Sequence, residues 1–345
     1  MNTLKLSIVI PCYNEEECIR TLHSRTSAAA ASTVDCSYEI ILVNDGSSDS
    51  TWHIMQELAN IDPHILAINL SRNHGHQLAL TAGLDLCCGD QILIIDADLQ
   101  DPPELLIKMR SVMQREKADV VYAVRQSRKG ESLFKKSTAA GFYRVLNRLA
   151  DTNIPMDTGD FRLMSRRALD AFLMMPEQAR FIRGMVAWIG FRQVPFLYER
   201  EERFAGITHY PVGKMLRLAF DAVTGFSIAP LRLASHLGLW LTAASVLYII
   251  STWLMGQTVQ GWTSTILIVL FLGATQMFVL GMIGEYLGRI YLEAKNRPLY
   301  LIADVVGEIH GRGRLGFNSP PNRVETYQSE ETGTANVAKD NPGSN

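Results

Sequence analysis

The stretch ILIIDADLQDPPE, Ile92 to Glu104, decides how the rest of the chain is read. Its first half is a run of β-branched residues and leucine, the composition of a strand buried on both faces. The run then breaks into three acids, Asp96, Asp98 and Asp101, and closes on Pro102 and Pro103, which cannot continue a central strand. Hard divalent cations such as Mg²⁺ are held by one or two carboxylates together with substrate phosphates. An acidic pair at a strand end therefore suggests a metal that grips a phosphorylated ligand. Taken alone, the motif suits a solvated loop equally well, and Asp101 reads as the cap of a helix begun by Pro102.

Working outward, short β-branched runs alternate with helical patterns over residues 1–125, the signature of a parallel sheet with crossover helices. LSIVIP, YEIILVND, HILAINL and DQILIIDAD read as the first four strands. EEECIRTLHSRTSAAA, DSTWHIMQELAN and HQLALTAGLDLCC read as the helices between them, the second opened by SSDST, a cluster suited to an N-cap. In such sheets ligands sit at the carboxyl ends of the strands. Strand one ends in PCYNEEE and strand two in NDGSSDS, which puts Asp45 and Gly46 on a tight turn. Neither is a Walker loop or GxGxxG, so a nucleotide would be held by side chains at neighbouring strand ends. His74 and His76 in NHGH read as loop histidines rather than metal ligands, and Asp157 and Asp160 in DTGDFR suit turn or helix caps as well as a site.

A net charge of −2 over 345 residues leaves no general excess of Lys and Arg, which argues against a nucleic-acid binder. The five cysteines are odd in number and lack CxxC spacing, so a reducing compartment is expected rather than a zinc site. LKLSIVIPCYNEEE has no signal-peptide pattern, so the first domain is expected to stay in the cytoplasm. Leu233 to Met255 and Trp262 to Gly284 carry no Asp, Glu, Lys or Arg in their interiors. Each is long enough to cross a hydrocarbon core of roughly 30 Å. Arg217 and Arg232 precede the first run, Arg289, Lys295 and Arg297 follow the second, and the loop GQTVQG is uncharged, so both flanks are expected in the cytoplasm. SLFKKSTAAGFYRVLNRL, and then VGKMLRLAFDAV, have the basic amphipathic pattern of helices lying at a membrane surface. Gly284 and Gly288, four apart, suit either a second copy or the packing of the two spans of one chain.

PCYNE (Pro11 to Glu15), VNDGSSDST, LSRNHGHQLALTAGLD, DADLQDPPEL, DTGDFRL, RFAGITHYP and GEYLGRIYLEAKNRP together resemble family 2 glycosyltransferases. Within that family the chain is most similar to the polyisoprenyl-phosphate glycosyltransferases of the bactoprenol glucosyltransferase type, with dolichol-phosphate mannose synthase a more distant relative. The resemblance implies an α/β fold: a cytoplasmic GT-A catalytic domain, a Rossmann-like mixed sheet, over 1–210, with a candidate interfacial helix at 132–150. A juxtamembrane amphipathic helix (211–230), two transmembrane helices (231–290), a cytoplasmic segment (291–310) and a disordered tail (311–345) would follow. It implies an enzyme of the inner membrane, with both termini cytoplasmic, that transfers a hexose with inversion, glucose from UDP-glucose, to a polyprenyl phosphate such as undecaprenyl phosphate. GDP-mannose or a UDP-amino sugar is the alternative donor. A processive polysaccharide synthase and a non-catalytic nucleotide-sugar-binding membrane protein are the competing classes.

By the same resemblance, Asp45, Pro11, Tyr13 and Glu15 line the nucleotide pocket and Asp96 sits by the ribose. Asp98 binds Mg²⁺ or Mn²⁺ on the diphosphate, Asp157 lies near the anomeric carbon, and Arg203 faces phosphate. Arg125, Arg128, Lys135 and Lys136 are expected to meet phosphates of donor or acceptor. The implied partners are the nucleotide-sugar donor, the polyprenyl phosphate, the membrane, a second copy of the chain and a flippase for the lipid-linked sugar, with no nucleic acid. One departure is that relatives often read GxSKY where this chain has GITHY, so His209 replaces a permanent cation.

Overall fold

The parallel half of the sheet follows directly from the buried strand pattern. In the computed structural model, which describes residues 4–34, 37–125, 158–199, 229–255 and 262–308, β1 (Leu6–Cys12), β2 (Tyr38–Asn44), β3 (Ile65–Leu70) and β4 (Gln91–Ile94) lie parallel. Ile8 is paired with both Ile40 and Leu93, and Ile41 with Leu66. Every residue of β1 and β2 is buried, as parallel strands covered on both faces must be. One face packs on α1 (Ile19–Val34), α2 (Thr51–Ile61) and α4 (Leu106–Glu116) through Leu22, Met55 and Met109. The other packs on α3 (His76–Leu86), α5 (Arg166–Leu173) and α6 (Ile182–Trp188) through Leu80, Phe172 and Met185.

The sheet has eight strands in the order β7-β5-β6-β4-β1-β2-β3-β8, where β5 is Val120–Arg125, β6 Thr158–Ser165, β7 Gln193–Tyr198 and β8 Ile302–Val306. It is mixed: β6 runs antiparallel between β4 and β5, and β8 antiparallel along the outer edge of β3. Strand pairing in β4 stops at Ile94, so Asp96 and Asp98 lie beyond it in the turn. Asp101 does not cap a helix. Pro102 precedes the 3-10 turn at Pro103–Leu105 without any side-chain cap bond, and the buried Asp101 instead accepts a hydrogen bond from the Tyr198 hydroxyl. At α2, Ser50 makes no side-chain cap bond either, and Asp49 Oδ1 accepts from the Thr51 N–H at 3.0 Å.

Both long apolar runs are helical, as α7 (Ala229–Leu254) and α8 (Trp262–Ala294). Among the described residues, which leave gaps within these helices, no helix is long and apolar enough to cross a membrane. Among the same residues, nothing lies within 4 Å of the position a Cβ would take on Gly284 or Gly288. The end of α8 is fastened to the sheet domain: Gln178 donates its backbone N–H to Glu293 Oε1 at 2.8 Å and its side-chain amide to the Arg297 carbonyl at 3.0 Å. Beyond it the Tyr300 hydroxyl donates to Asp85 Oδ2 at 2.7 Å, and β8 then joins the sheet. The expected interfacial helix, most of the juxtamembrane segment and the tail lie outside the described residues.

Helix α3 approaches the sheet closely because Gly83 faces it. A Cβ there would lie 2.4 Å from Val9 Cγ1 and 3.1 Å from Val43 Cγ2. Alanine would gain about 1 kcal/mol of helix propensity, but overpacking a filled core costs about 1–3 kcal/mol. Contact with a branched side chain fixed in the sheet places this site at the upper end. Gly83→Ala is therefore expected to lower unfolding free energy by about 1–2 kcal/mol in denaturant titration; unchanged stability would show that α3 can shift freely.

Candidate active site

Four parallel strands deliver their carboxyl ends to one edge of the sheet. At the end of β2, Asp45 is buried and uses both oxygens to hold a neighbouring loop, accepting from the His74 N–H at 2.7 Å and the Gly75 N–H at 2.9 Å. Burial raises its pKa, against the lowering effect of those two bonds. Gly46 follows with φ +67, and a Cβ there would lie 2.6 Å from the Asn73 nitrogen, so only glycine lets the two loops touch. At the end of β1, Pro11 is buried, whereas Tyr13 is 50% exposed and so stands out of the core beside the site. Asn14, at φ 56, turns the chain and accepts the Ser48 N–H at 2.9 Å, and the Glu15 backbone N–H donates to the Thr51 hydroxyl oxygen at 2.8 Å.

Beyond β4 the acids converge. The antiparallel register pairs Ile94 with Arg162, and its continuation sets Asp160 against Asp96. Asp160 is 5% exposed and is approached by Arg162 Nη2 at 3.4 Å, Arg183 Nε at 3.3 Å, Gln77 Nε2 at 3.0 Å and His76 Nε2 at 3.2 Å. Burial alone would raise its pKa, but the His76 bond and the two guanidinium groups outweigh burial and leave it well below the usual carboxylate range. Burial likewise pulls Arg162 down, to about 10, against the pull of Asp160. Desolvation opposes a charged His76, yet Asp160 and Asp96 push it up to about 9.

Asp96 is the unbalanced member. Burial, together with the charges of Asp160, Asp101 and Asp98, pushes it up to about 6 despite the opposing pull of His76. Its Oδ1 is buried and makes no hydrogen bond among the described residues, with His76 Nε2 3.5 Å away. Asp98 accepts the Gln100 N–H at 3.1 Å across Leu99, which adopts the left-handed region at φ 58. A leucine held there stores about 1–3 kcal/mol of strain, a cost met at sites that must aim a side chain.

This donor set fits a hard divalent cation: two neighbouring carboxylates, one with an orphaned buried oxygen, in a surplus of negative charge. Among the described residues no group of three or more His, Cys, Asp or Glu could hold a metal by itself. A cation at Asp98 and Asp96 would thus need substrate phosphate oxygens to complete its shell, the usual habit of Mg²⁺.

Of the residues expected from sequence, the structure brings together Asp96, Asp98 and Asp101, and adds Arg125, whose side chain lies near Tyr198 and beside Gly159. Pro11, Tyr13, Glu15 and Asp45 line the adjoining strand ends. Asp157, Arg128, Lys135, Lys136, Arg203 and His209 lie outside the described residues. Sequence reasoning missed the roles of His76, Gln77, Arg162 and Arg183, and took Asp160 for a candidate cap. The only signal it offered was the alternation of Asp160 and Arg162 in DTGDFR, which places both on one face of a strand.

Residues 7–173 match the family described as Glycosyl transferase family 2, and residues 229–290 match the GtrB C-terminal hairpin. The chain is 46% identical over 308 residues to the uncharacterized glycosyltransferase YkcC of Bacillus subtilis, covering 88% of this chain and 95% of that protein. It is 39% identical over 303 residues to the SfII prophage-derived bactoprenol glucosyl transferase of Shigella flexneri, covering 87% and 97%. Among solved structures, mannosyl-3-phosphoglycerate synthase from Rubrobacter xylanophilus superposes with a TM-score of 0.44 at 19% identity, over 64% of this chain and 72% of that one.

Removing Asp160 would take the carboxylate partner from the buried Arg162 and from Arg183. Asp160→Ala is expected to cost about 3–5 kcal/mol of folding stability, the penalty for breaking a buried ion pair from one side. A loss below about 1 kcal/mol in chemical denaturation would place the pair in the weak, solvent-screened class.

Proposed function

The chain belongs to glycosyltransferase family 2, and on that premise we propose that it transfers one glucosyl unit from UDP-glucose to a polyprenyl phosphate at the cytoplasmic face of the inner membrane. The observation that carries the reading is the attachment of the apolar hairpin to the acid-lined domain, through Glu293, Arg297 and β8. A lipid-borne acceptor calls for a catalytic edge held at a fixed height over a membrane. The match to bactoprenol glucosyl transferases over nearly their whole length supports the sugar and the lipid.

The hairpin is the proposed anchor. Its helices have 26 and 33 residues, or about 39 and 50 Å at 1.5 Å per residue, against a core of roughly 30 Å. Trp240, Leu247, Leu254, Val269, Phe271, Met277 and Leu280 are exposed on them, an apolar surface that lipid would cover. Basic residues at both cytoplasmic flanks, Arg232 and then Arg289, Lys295 and Arg297, support the orientation.

In the proposed reaction a phosphate oxygen of the lipid attacks the anomeric carbon while the bond from that carbon to the UDP oxygen breaks, inverting the configuration. Asp45, Pro11, Tyr13 and Glu15 receive the nucleoside, and Asp96 the ribose. Mg²⁺ or Mn²⁺ bound by Asp98 beside Asp96 would supply positive charge for the leaving diphosphate. Arg203 is assigned to the leaving diphosphate as a permanent cation, and Arg125, Arg128, Lys135 and Lys136 to the acceptor and donor phosphates. A phosphate monoester has a second pKa near 6, by analogy with phosphorylated side chains, so the acceptor is largely ionised at neutral pH. Asp157 therefore orients the acceptor more than it deprotonates it.

Two measurements check this reading. Membranes carrying the enzyme, given labelled UDP-glucose and a short polyprenyl phosphate, are expected to yield a single labelled sugar on the lipid. A polymer would indicate a processive synthase, no transfer a binding protein, and labelling from GDP-mannose alone a different sugar. Purified Asp98→Asn is expected to lose about 100-fold or more in turnover, the scale of losing a major electrostatic contact in the transition state. Asp157→Asn should lose less, and the reverse order would contradict the assigned roles.

A further inference from the structure

The geometry points to His76 as a positioning residue that holds Asp96 in place against Asp160, and so sets the carboxylate that meets the donor. The inference rests on the reading of Asp96 as a donor-side acid. His76 Nε2 lies 3.2 Å from Asp160 Oδ2 and 3.5 Å from Asp96 Oδ1. Both neighbours are carboxylates, so this nitrogen must be the one that carries a proton, which it donates to Asp160 while Asp96 Oδ1 stands at ion-pairing distance. Arg162, Arg183 and Gln77 already serve Asp160. For the orphaned Asp96 oxygen, by contrast, His76 is the nearest ion-pairing group among the described residues. Removal of the ring would therefore leave Asp160 fixed and release Asp96.

The ring itself is well placed to act as a fixed reference. His76 opens α3, and the two preceding N–H groups, of His74 and Gly75, are held by Asp45. Behind it, Gly83 seats α3 directly on β1 and β2. Gln77, the next residue, donates to Asp160 and accepts the Ile182 N–H at 2.9 Å, which ties α3 to α6. The end of β2 thus fixes the start of α3, and His76 passes that placement to the acid beyond β4. The side chain remains 43% exposed, so it fills no core position; its described polar contacts are the two aspartates. A histidine serving only to pack would be expected on the buried face of the helix.

The test compares His76→Leu, which removes the donor, with His76→Gln, which returns an amide donor of similar reach. Binding of Mn²⁺ alone and of UDP with Mn²⁺ would be measured by titration, alongside KM for donor and for lipid acceptor and the thermal midpoint. His76→Leu is expected to weaken binding of UDP with Mn²⁺ by about 10-fold or more, the usual cost of losing a group that orients a ligating side chain. Acceptor KM should stay unchanged, and His76→Gln should recover most of the loss. If His76→Leu does not fold, a His76→Gln variant that folds and binds within about threefold of wild type, set against a folded His76→Asn whose shorter amide binds poorly, supports the inference equally, and equal binding by the two amides overturns it. Wild-type affinity in His76→Leu, or equal damage to donor and acceptor terms that His76→Gln fails to repair, would also overturn the inference. A wild type that binds Mn²⁺ but not UDP would refute the donor reading instead, leaving the Mn²⁺ comparison to judge His76. One that binds neither would overturn both.

Discussion

Like charges crowd the carboxyl edge of this sheet, and the surrounding structure is arranged around their repulsion. The charges of Asp98, Asp101 and Asp160 all bear on Asp96. In a partly desolvated site, carboxylates this close cannot all stay ionised without partners. Asp160 is met by two arginines, a histidine and a glutamine, and Asp101 by the Tyr198 hydroxyl. Asp98 has a backbone N–H, and Asp96 is left with an oxygen that no described hydrogen bond satisfies. The fold therefore meets Asp160 with two guanidinium groups and leaves His76 as the nearest ion-pairing group to Asp96 among the described residues.

The antiparallel strand β6 makes this division possible. Because Ile94 pairs with Arg162, the residues just before Arg162 run alongside the turn after β4. A wholly parallel sheet would carry the same residues to the opposite edge. The carboxyl ends of β1 and β2 then complete the pocket, with Asp45 and Gly46 locking the His74–Gly75 loop against them. On the far edge, β8 and the contacts at Gln178 attach the hairpin to the same sheet, so the orientation of the site follows that of α7 and α8.

Much of the parallel half was legible in the sequence because its signal is local. LSIVIP, YEIILVND and HILAINL are buried runs bounded by turn residues, and each forms a strand within a residue of where it is expected. β6 and β8 were not legible as strands, since one lies in a motif read for its acids and the other in a short segment after the hairpin. The acids of ILIIDADLQDPPE were found from their place at a strand end. Their division of labour was not, because it depends on contacts among residues 76, 96, 101, 160, 183 and 198 that no spacing in the sequence connects. Asp101 shows the limit well: DPPEL has the form of a capped helix start, but the carboxylate is turned inward to Tyr198, a partner 97 positions away.

If the surplus of acid at Asp96 and Asp98 exists to hold a cation against a diphosphate, that cation can be located directly. Crystals grown with UDP and Mn²⁺ should show one anomalous scattering peak within bonding distance of the Asp98 carboxylate, with diphosphate oxygens completing its shell. Bound UDP with no peak at Asp98, or with the metal held elsewhere, would contradict the central assignment.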